Sequence, residues 1–276
     1  TEMRIGGMEL FQSESSDRSE KFLPRVAQMM KAILTIYTLL TIACFIGLNA
    51  AGMTWFDSIC HAFSTVSSGG FSTHDTSIGY FKSPAIHYII VVFMITSGMT
   101  QALFSCLWTK QTRAFFGDEQ MRAYLKIVLI VSGMVVAWNV WKNFSGTSRT
   151  LDESIFNAVS VITTTGFMTT SYDRWGTFPL VLSFVVPFMG GSTGSTAGGI
   201  KIFRFQILWK ITVMHLQKLR RPHGIFMAKF NGKKLSDPLF ESVAAFVILF
   251  IFCFVILSLI LAVVGLDFLT ALSASM

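Results

Sequence analysis

Residues 57–73, DSICHAFSTVSSGGFST, recur in altered form as residues 153–169, ESIFNAVSVITTTGFMT, and this repeat decides the fold. The two copies lie 96 residues apart and share an acidic first residue and a Gly-Phe pair near their ends. Each copy overlaps a semi-apolar segment, 55–66 or 155–165, which is followed by a polar turn with glycine. Segments this short do not cross a bilayer, which takes about 20 residues, but they suit re-entrant helices.

Apolar stretches of bilayer length surround the two copies. They cover 33–51, 85–108, 125–141, 178–213 (long and interrupted) and 239–266. Hydrophobic residues make up 52% of the 276 residues and charged residues 13%, about half of the charged share of a soluble domain. We therefore predict an all-α polytopic membrane protein with repeated helix–pore-loop–helix units and re-entrant loops, and we exclude a soluble enzyme.

The charges of the loops predict the orientation of the chain. Basic residues collect in 1–31, 109–126 and 201–237, whereas 52–83 and 142–177 are acidic or mixed. Because basic loops face the cytoplasm, the three basic segments are expected inside and the other two outside. The net charge of +7 is thus interpreted as membrane orientation rather than as a surface for nucleic acid.

The end of each copy has the chemistry of a cation filter. A short helix turns the partly negative end of its dipole toward the residues that follow it, and acids such as Asp57 and Glu153 complement its start. Glycine permits backbone angles that aim carbonyls at one axis, and rings of carbonyls replace the hydration shell of potassium. A single such turn would be an ordinary loop, but two aligned copies on the outer side favour a pore. The candidate ion-binding residues are Ser67, Ser68, Gly69, Gly70, Thr163, Thr164, Thr165 and Gly166.

A glycine-rich segment, MGGSTGSTAGG at 189–199, interrupts the fourth apolar stretch. Each glycine destabilises a helix by about 1 kcal/mol relative to alanine, so the segment is interpreted as a flexible plug beneath the filter. On this interpretation, deletions within 192–197 raise ion flux and leave ion preference intact, because the filter is a separate element. The candidate gate residues are Gly190, Gly191, Gly194, Gly198, Gly199 and Lys201.

Two other interpretations of the glycine-rich segment were weighed. Gly190, Gly194 and Gly198 are spaced four apart, so the segment also fits a tight helix-packing face. A phosphate-binding loop is disfavoured because Ile200 separates the last glycine from Lys201.

Several charged or titratable residues near these elements leave alternatives open. Lys201 and Arg204 either repel cations at the inner mouth or anchor the helix at the cytoplasmic interface. His61 and His74 flank the first filter, but no second histidine or cysteine lies at metal-site spacing, which favours bonded or exposed histidines over ligands. No nucleophile and base stand in a catalytic pattern, so no enzyme activity is predicted.

These residues resemble the Trk-type potassium uptake proteins of bacteria, the membrane subunits of the Trk/Ktr potassium transporter superfamily. The resemblance is carried by 65–75, 163–167 and 190–204 and covers essentially the whole chain. It implies four helix–pore-loop–helix units in a multi-pass protein of the bacterial inner membrane, with filter glycines at Gly70 and Gly166. The transported ligand would be the potassium ion, with no cofactor in the membrane chain.

The resemblance also implies partners and a division of the chain. The partners would be membrane lipid, a second copy in a homodimer and a cytoplasmic nucleotide- and NAD-binding regulatory subunit near the basic loop, with no nucleic acid. The divisions are a lead-in with the tail of the first unit at 1–31, a second unit at 32–110, a third unit with the gate at 120–215, a basic loop at 216–237 and a fourth unit at 238–276.

Within the fourth unit, a third copy of the repeat begins at Asp267, which matches Asp57, and stops before its filter. We therefore expect a piece of a longer protein, in which two filter segments alone do not close a ring of four. Ser67 and Ser68 leave the selectivity between potassium and sodium undecided, so a sodium-permeable or sodium-coupled relative is an open alternative. Symport with protons or sodium is also an open alternative. A membrane enzyme that acts on lipid and a non-conducting scaffold are the rivals from other classes.

Overall fold

The computed structural model describes residues 26–101, 104, 117–142, 148–170, 172–221, 224, 226–235 and 237–275. Most of the predicted lead-in, the basic loop through residue 116 and the end of the second apolar stretch lie outside these residues. The described part is predominantly helical, as the apolar sequence predicts.

The unit predicted at 32–110 has a short helix between two apolar helices. Helix α1 covers Val26–Ala50, α2 covers Trp55–Val66, a 3₁₀ turn covers Ser77–Tyr80 and α3 covers Pro84–Ser97. Helix α2 has 12 residues and is therefore about 18 Å long, well short of the hydrocarbon thickness of about 30 Å. This confirms the prediction of a re-entrant helix between two apolar ones.

The unit predicted at 120–215 repeats this order with one interruption. Helix α4 covers Glu119–Trp141, and the short α5 covers Ser148–Ile162. A 3₁₀ turn at Tyr172–Trp175 leads into α6 at Thr177–Val185, which ends in a further 3₁₀ turn at Val186–Phe188. Residues 189–201 are not helical, and α7 then covers Ile202–Arg220. The predicted break in the fourth apolar stretch is thus present at the glycine-rich segment.

The rest of the chain adds a hairpin and two helices. Strands β1, Lys229–Phe230, and β2, Lys233–Lys234, pair antiparallel, with Lys229 opposite Lys234. Helix α8 covers Asp237–Val263, and α9 covers Phe268–Ser275 after a turn at Gly265. The short α9 follows Asp267, where the sequence predicts a third copy. The small hairpin is the one departure from the all-α prediction within the described residues.

Within the described residues, three helical stretches are long and apolar enough to cross a membrane: Met30–Ala50, Glu119–Trp141 and Pro238–Val263. Pro84–Ser97 and Thr177–Phe188 are shorter apolar helices. The chain is therefore a multi-pass membrane protein whose re-entrant helices lie between apolar ones.

The buried core lies where α1 to α5 meet. Cys44, Ile90, Tyr124 and Phe156 are fully buried there. The Tyr124 hydroxyl donates a hydrogen bond of 3.0 Å to the carbonyl of Ile95 in α3, which satisfies the polar tip of a buried aromatic ring. This core holds the ends of α2 and α5 together, and the candidate filter follows directly from both ends.

Candidate ion filter and its glycine-rich segment

An acidic residue in each re-entrant helix binds the chain that follows the filter turn. Asp57 accepts hydrogen bonds from Thr54 at 2.7 Å and from Thr73 at 2.6 Å. Glu153, its counterpart in the second copy, accepts one from Thr170 at 3.0 Å. Each acid therefore holds the outgoing segment beside the helix. Asp57 lies in the first turn of α2, where it complements the positive end of the helix dipole, but Glu153 lies in the second turn of α5, so that expectation was wrong for the second copy.

The hydrogen bonds of Asp57 keep its side chain ionised. The hydrogen bond from Thr73 lowers the pKa of Asp57 below its ordinary value of 3.8, burial opposes this shift, and the bond from Thr54 and the nearby His74 lower the pKa further. A carboxylate therefore remains at the start of the first re-entrant helix at neutral pH.

The next pair of equivalent residues, His61 and Asn157, forms hydrogen bonds with the same outgoing segments. The His61 ring contacts the carbonyl of Asp57 through Nδ1 at 2.7 Å and Oγ of Ser72 through Nε2 at 2.9 Å. A carbonyl only accepts, so Nδ1 carries the proton and Nε2 accepts from the serine hydroxyl. Asn157 accepts from the backbone N–H of Thr169 at 3.0 Å. His61 is thus bonded at both nitrogens, as expected of a structural histidine.

His74 lies at the outer edge of the same cluster. Its ring stacks on Tyr80 with 3.7 Å between the centroids, and Nε2 lies 3.6 Å from Oδ1 of Asp57. Among the described residues, no group of three His, Cys, Asp or Glu side chains is placed to hold a metal ion.

The two filter turns have the same backbone conformation at matching positions. Ser68 and Thr164 have φ of 55° and 54°, and Gly70 and Gly166 have φ of 71° and 86°. Positive φ at a residue other than glycine costs on the order of 1–3 kcal/mol, and for a β-branched threonine it is an outlier. Such strain persists only where the surroundings fix it, which marks these turns as candidate functional elements.

The hydrogen bonds that close the two turns also match. The N–H of Gly69 donates to the carbonyl of Ser64 at 2.8 Å, and the N–H of Thr165 donates to Ser160 at 2.9 Å. These pairs are related by the same offset of 96 residues that aligns the sequence copies. The repeat is therefore a repeat of backbone geometry.

The two turns are brought into direct contact. A Cβ atom at Gly70 would lie 1.9 Å from the carbonyl oxygen of Thr165, so only glycine permits this approach. Further out, the N–H of Gly79 donates to the carbonyl of Met168 at 3.2 Å, and Ser77 accepts from the N–H of Met168 at 3.3 Å. All eight predicted filter residues therefore lie in two adjacent turns.

The glycine-rich segment is a loop that closes on itself. The N–H of Ile200 donates to the carbonyl of Phe188 at 2.8 Å, and a Cβ at Gly190 would lie 2.1 Å from the carbonyl oxygen of Gly198. Because residues 189–201 are not helical, the glycines spaced four apart do not form the helix-packing face that the sequence also allowed. They instead allow close contacts within the loop.

The same segment touches both filter turns. Oγ1 of Thr196 lies 3.0 Å from Oγ of Ser68 and 2.9 Å from the carbonyl oxygen of Val66. The N–H of Gly198 donates to Oγ1 of Thr164 at 2.6 Å. The expectation that deletions here leave ion preference intact rested on a filter separate from the segment, and these contacts contradict that premise.

Lys201 binds the segment that it follows. Its ammonium group donates to the carbonyls of Ala197 at 2.7 Å and Ser195 at 3.0 Å. Arg204 donates to the carbonyl of Ile200 at 3.1 Å and lies 3.7 Å over the ring of Phe246 in α8. Holding the loop carbonyls is a role for Lys201 that sequence reasoning missed.

A polar cluster near the start of α4 was also missed. Glu119 donates its N–H to the Asn231 side chain at 2.9 Å, and its carboxylate accepts from the N–H of Asn231 at 3.1 Å. The Lys210 ammonium in α7 forms an ion pair with the same carboxylate. The β-hairpin, α4 and α7 are thus joined at one point, and the Asn231-Gly232 pair is a hairpin signal that could have revealed part of it.

Comparisons with known proteins identify relatives over nearly the whole chain. The family described as TrkH, cation transport protein, matches residues 2–276. The chain is 37% identical over 270 residues to "Trk system potassium uptake protein TrkH" of Escherichia coli strain K12, covering 95% of this chain and 55% of that protein. It is 37% identical over 277 residues to the protein of the same name in Vibrio parahaemolyticus, covering 98% and 57%.

A solved structure is similar as well. The crystal structure of the potassium transporter TrkH from Vibrio parahaemolyticus matches with a TM-score of 0.85 and 35% identity, covering 91% of this chain and 55% of that one. The chain therefore spans about half of the length of these relatives.

Proposed function

Because the chain belongs to the TrkH family of cation transport proteins, we propose that it supplies two of the filter turns of a potassium uptake protein. The observation that carries this proposal is the pair of turns after α2 and α5, which share positive φ at matching residues and touch each other. Relatives named as potassium uptake proteins support the choice of cargo.

The proposed filter binds a dehydrated potassium ion through backbone carbonyls. The ends of α2 and α5 direct partial negative charge toward the turns, which favours a cation over an anion. Carbonyls of Ser67 to Gly70 and of Thr163 to Gly166 replace water around the ion, with hydroxyls of Ser68, Thr164 and Thr165 as helpers. The strained positions keep these groups in place before the ion arrives.

The glycine-rich segment is proposed as the gate of this path. Its contacts with Ser68 and Thr164 place backbone and hydroxyl groups against the filter residues themselves. Irregular backbone survives at membrane depth only where protein or a water-filled cavity surrounds it, and next to a filter that cavity would be the ion path. Gly190, Gly191, Gly194, Gly198 and Gly199 permit the loop to change shape, and Lys201 holds its carbonyls.

The location and the partners of the protein are proposed from its family. The protein would lie in the inner membrane of a bacterium, form a homodimer in lipid, use no cofactor in the membrane chain and catalyse no chemical reaction. A cytoplasmic nucleotide- and NAD-binding subunit would act through the basic loop that follows α7. The divisions at 32–110, 120–215 and 238–276 would then be the second, third and fourth units.

The test is cation flux through the full-length protein in liposomes. Radioactive rubidium, a potassium analogue, should enter protein-containing vesicles, and external potassium should compete with it far better than sodium. Empty vesicles and vesicles with heat-inactivated protein are the controls. Equal competition by sodium would contradict selective potassium uptake and favour a sodium-permeable relative. Absence of flux above the controls would contradict a transport function.

A further inference from the structure

The Thr196 side chain is the point at which the glycine-rich segment meets the first filter turn. Its hydroxyl lies 2.9 Å from the carbonyl of Val66, 3.0 Å from the Ser68 hydroxyl and 3.3 Å from the carbonyl of Ser97. A carbonyl only accepts, so the single Thr196 proton is donated to the nearer carbonyl, that of Val66. Ser68 can then donate its own proton to Thr196.

The carbonyl of Val66 has a particular position in the unit. Val66 is the last residue of α2, and the last carbonyls of a helix have no partner within it. These carbonyls carry the partial negative charge that stabilises a cation beyond the helix end. A hydroxyl that donates to Val66 takes up part of that charge, so Thr196 and a cation compete for the same helix end.

A second contact connects the segment to the other filter turn. Oγ1 of Thr164 accepts from the N–H of Gly198 at 2.6 Å and lies 2.7 Å from the carbonyl of Thr163, to which it donates. Thr164 and Ser68 are equivalent positions of the repeat, and both have positive φ. The segment therefore contacts the same strained position in both turns, through a side chain in one and a backbone N–H in the other.

We propose that Thr196 is a positioning residue that couples the glycine-rich segment to the filter. With the segment in place, its hydroxyl satisfies the end of α2 and holds Ser68; when the segment leaves, both groups become available to potassium. This inference rests on the proposed function and refines it, because it links gate opening to ion binding. By thermodynamic reciprocity, potassium in the filter favours release of the segment by the same factor.

The substitution Thr196→Val tests this coupling, because valine keeps the shape and removes the hydroxyl. The loss of two hydrogen bonds should favour release of the segment. Rubidium flux of the full-length protein, measured without its regulatory subunit, should therefore rise by about tenfold. Thr38→Val is the matched control, because the exposed Thr38 hydroxyl donates to the carbonyl of Leu34 within α1. Its flux should stay within about twofold of wild type. Thr196→Ser, which keeps a hydroxyl, should restore most of the wild-type behaviour.

A second readout separates coupling from a loss of packing. The potassium concentration for half-maximal uptake should fall in Thr196→Val, because the end of α2 no longer has a competing donor. Wild-type flux and half-saturation in a well-expressed Thr196→Val protein would overturn the inference, as would an equal effect of Thr38→Val. If Thr196→Val is poorly expressed, Thr196→Ala removes the same hydroxyl and must also raise flux; unchanged flux in well-expressed Thr196→Ala counts against the inference.

A deletion within 192–197 distinguishes this inference from the gate itself. If the deletion raises flux and Thr196→Val does not, the segment is a gate but Thr196 does not couple it to the filter. If neither change affects flux in well-expressed protein, both the gate and the coupling fail. If both raise flux and Thr38→Val does not, the coupling is supported.

Discussion

At the scale of single residues, Gly70 shows why the filter turn requires glycine. Its φ of 71° lies in the left-handed region, and its Cα faces the carbonyl of Thr165 so closely that a Cβ would lie 1.9 Å away. Gly52, in the turn before α2, also has positive φ, at 99°, but no atom of the described residues lies within 4 Å of its would-be Cβ. The two glycines share a positive φ but not the close contact.

This difference predicts distinct effects of alanine at the two positions. Gly70→Ala should displace the carbonyl of Thr165 and lower the preference of the full-length protein for potassium over sodium by about tenfold, or about 1.4 kcal/mol. Gly52→Ala should cost about 1–2 kcal/mol of stability from its backbone strain but leave the preference unchanged. Competition of potassium and of sodium against rubidium uptake measures the cation preference of both variants. Equal preferences in the two variants would show that the Gly70 contact does not shape the filter.

Some of these residue roles could be predicted from the sequence, and others could not. The Ser, Thr and Gly positions of the turns were predictable because backbone freedom and hydroxyl chemistry are local properties. The contact between Thr196 and Ser68 was not, because it joins residues 128 positions apart through the fold. The same holds for Lys201, whose bonds depend on how the glycine-rich loop closes.

At the scale of elements, composition predicted the interruption of the fourth apolar stretch but not the β-hairpin. Five glycines within 190–199 made an uninterrupted fourth apolar helix unfavourable, and the structure has a loop there. The β-hairpin was not predicted because its strands have only two residues each and carry no alternating apolar pattern. Its position depends on Asn231, whose side chain binds Glu119 and Asp118 more than a hundred residues earlier in the chain.

The docking of this hairpin gives a prediction at the element scale. Asn231→Gly keeps the positive φ of 45° accessible but removes the side-chain bonds to Glu119 and Asp118. Backbone amides of the hairpin should exchange hydrogen about fivefold faster, equivalent to about 1 kcal/mol. Hydrogen exchange of the full-length protein in detergent measures this. Met227→Ala, at an exposed residue just before the hairpin, is the control; exchange that does not change in Asn231→Gly would argue against side-chain docking.

At the scale of the whole molecule, the fold class was predictable because the lengths of the apolar stretches can be counted directly in the sequence. The repeat added the re-entrant helices, and the loop charges added an expected orientation. The contact between the two filter turns could not be predicted, because it depends on the packing of α4 and α5 against α2 and α3. Under the proposed function, that contact would make the two turns parts of one filter.

The chain spans about half of the length of its relatives. Under the proposed function, the ion path would be completed in a longer protein. In that setting the turns at residues 67–70 and 163–166 would form two sides of one cation site. The glycine-rich segment would lie against this site through Thr196 and Gly198.

The central claim is tested most directly by locating a potassium analogue in crystals of the full-length protein. Crystals grown with rubidium and measured at its absorption edge should show anomalous density beside the two turns, within coordination distance of carbonyls from residues 67–70 and 163–166. Exchange into potassium should remove that density, and crystals of Gly70→Ala should show it weakened. Well-ordered turns without rubidium density, or density only at sites away from both turns, would contradict the account.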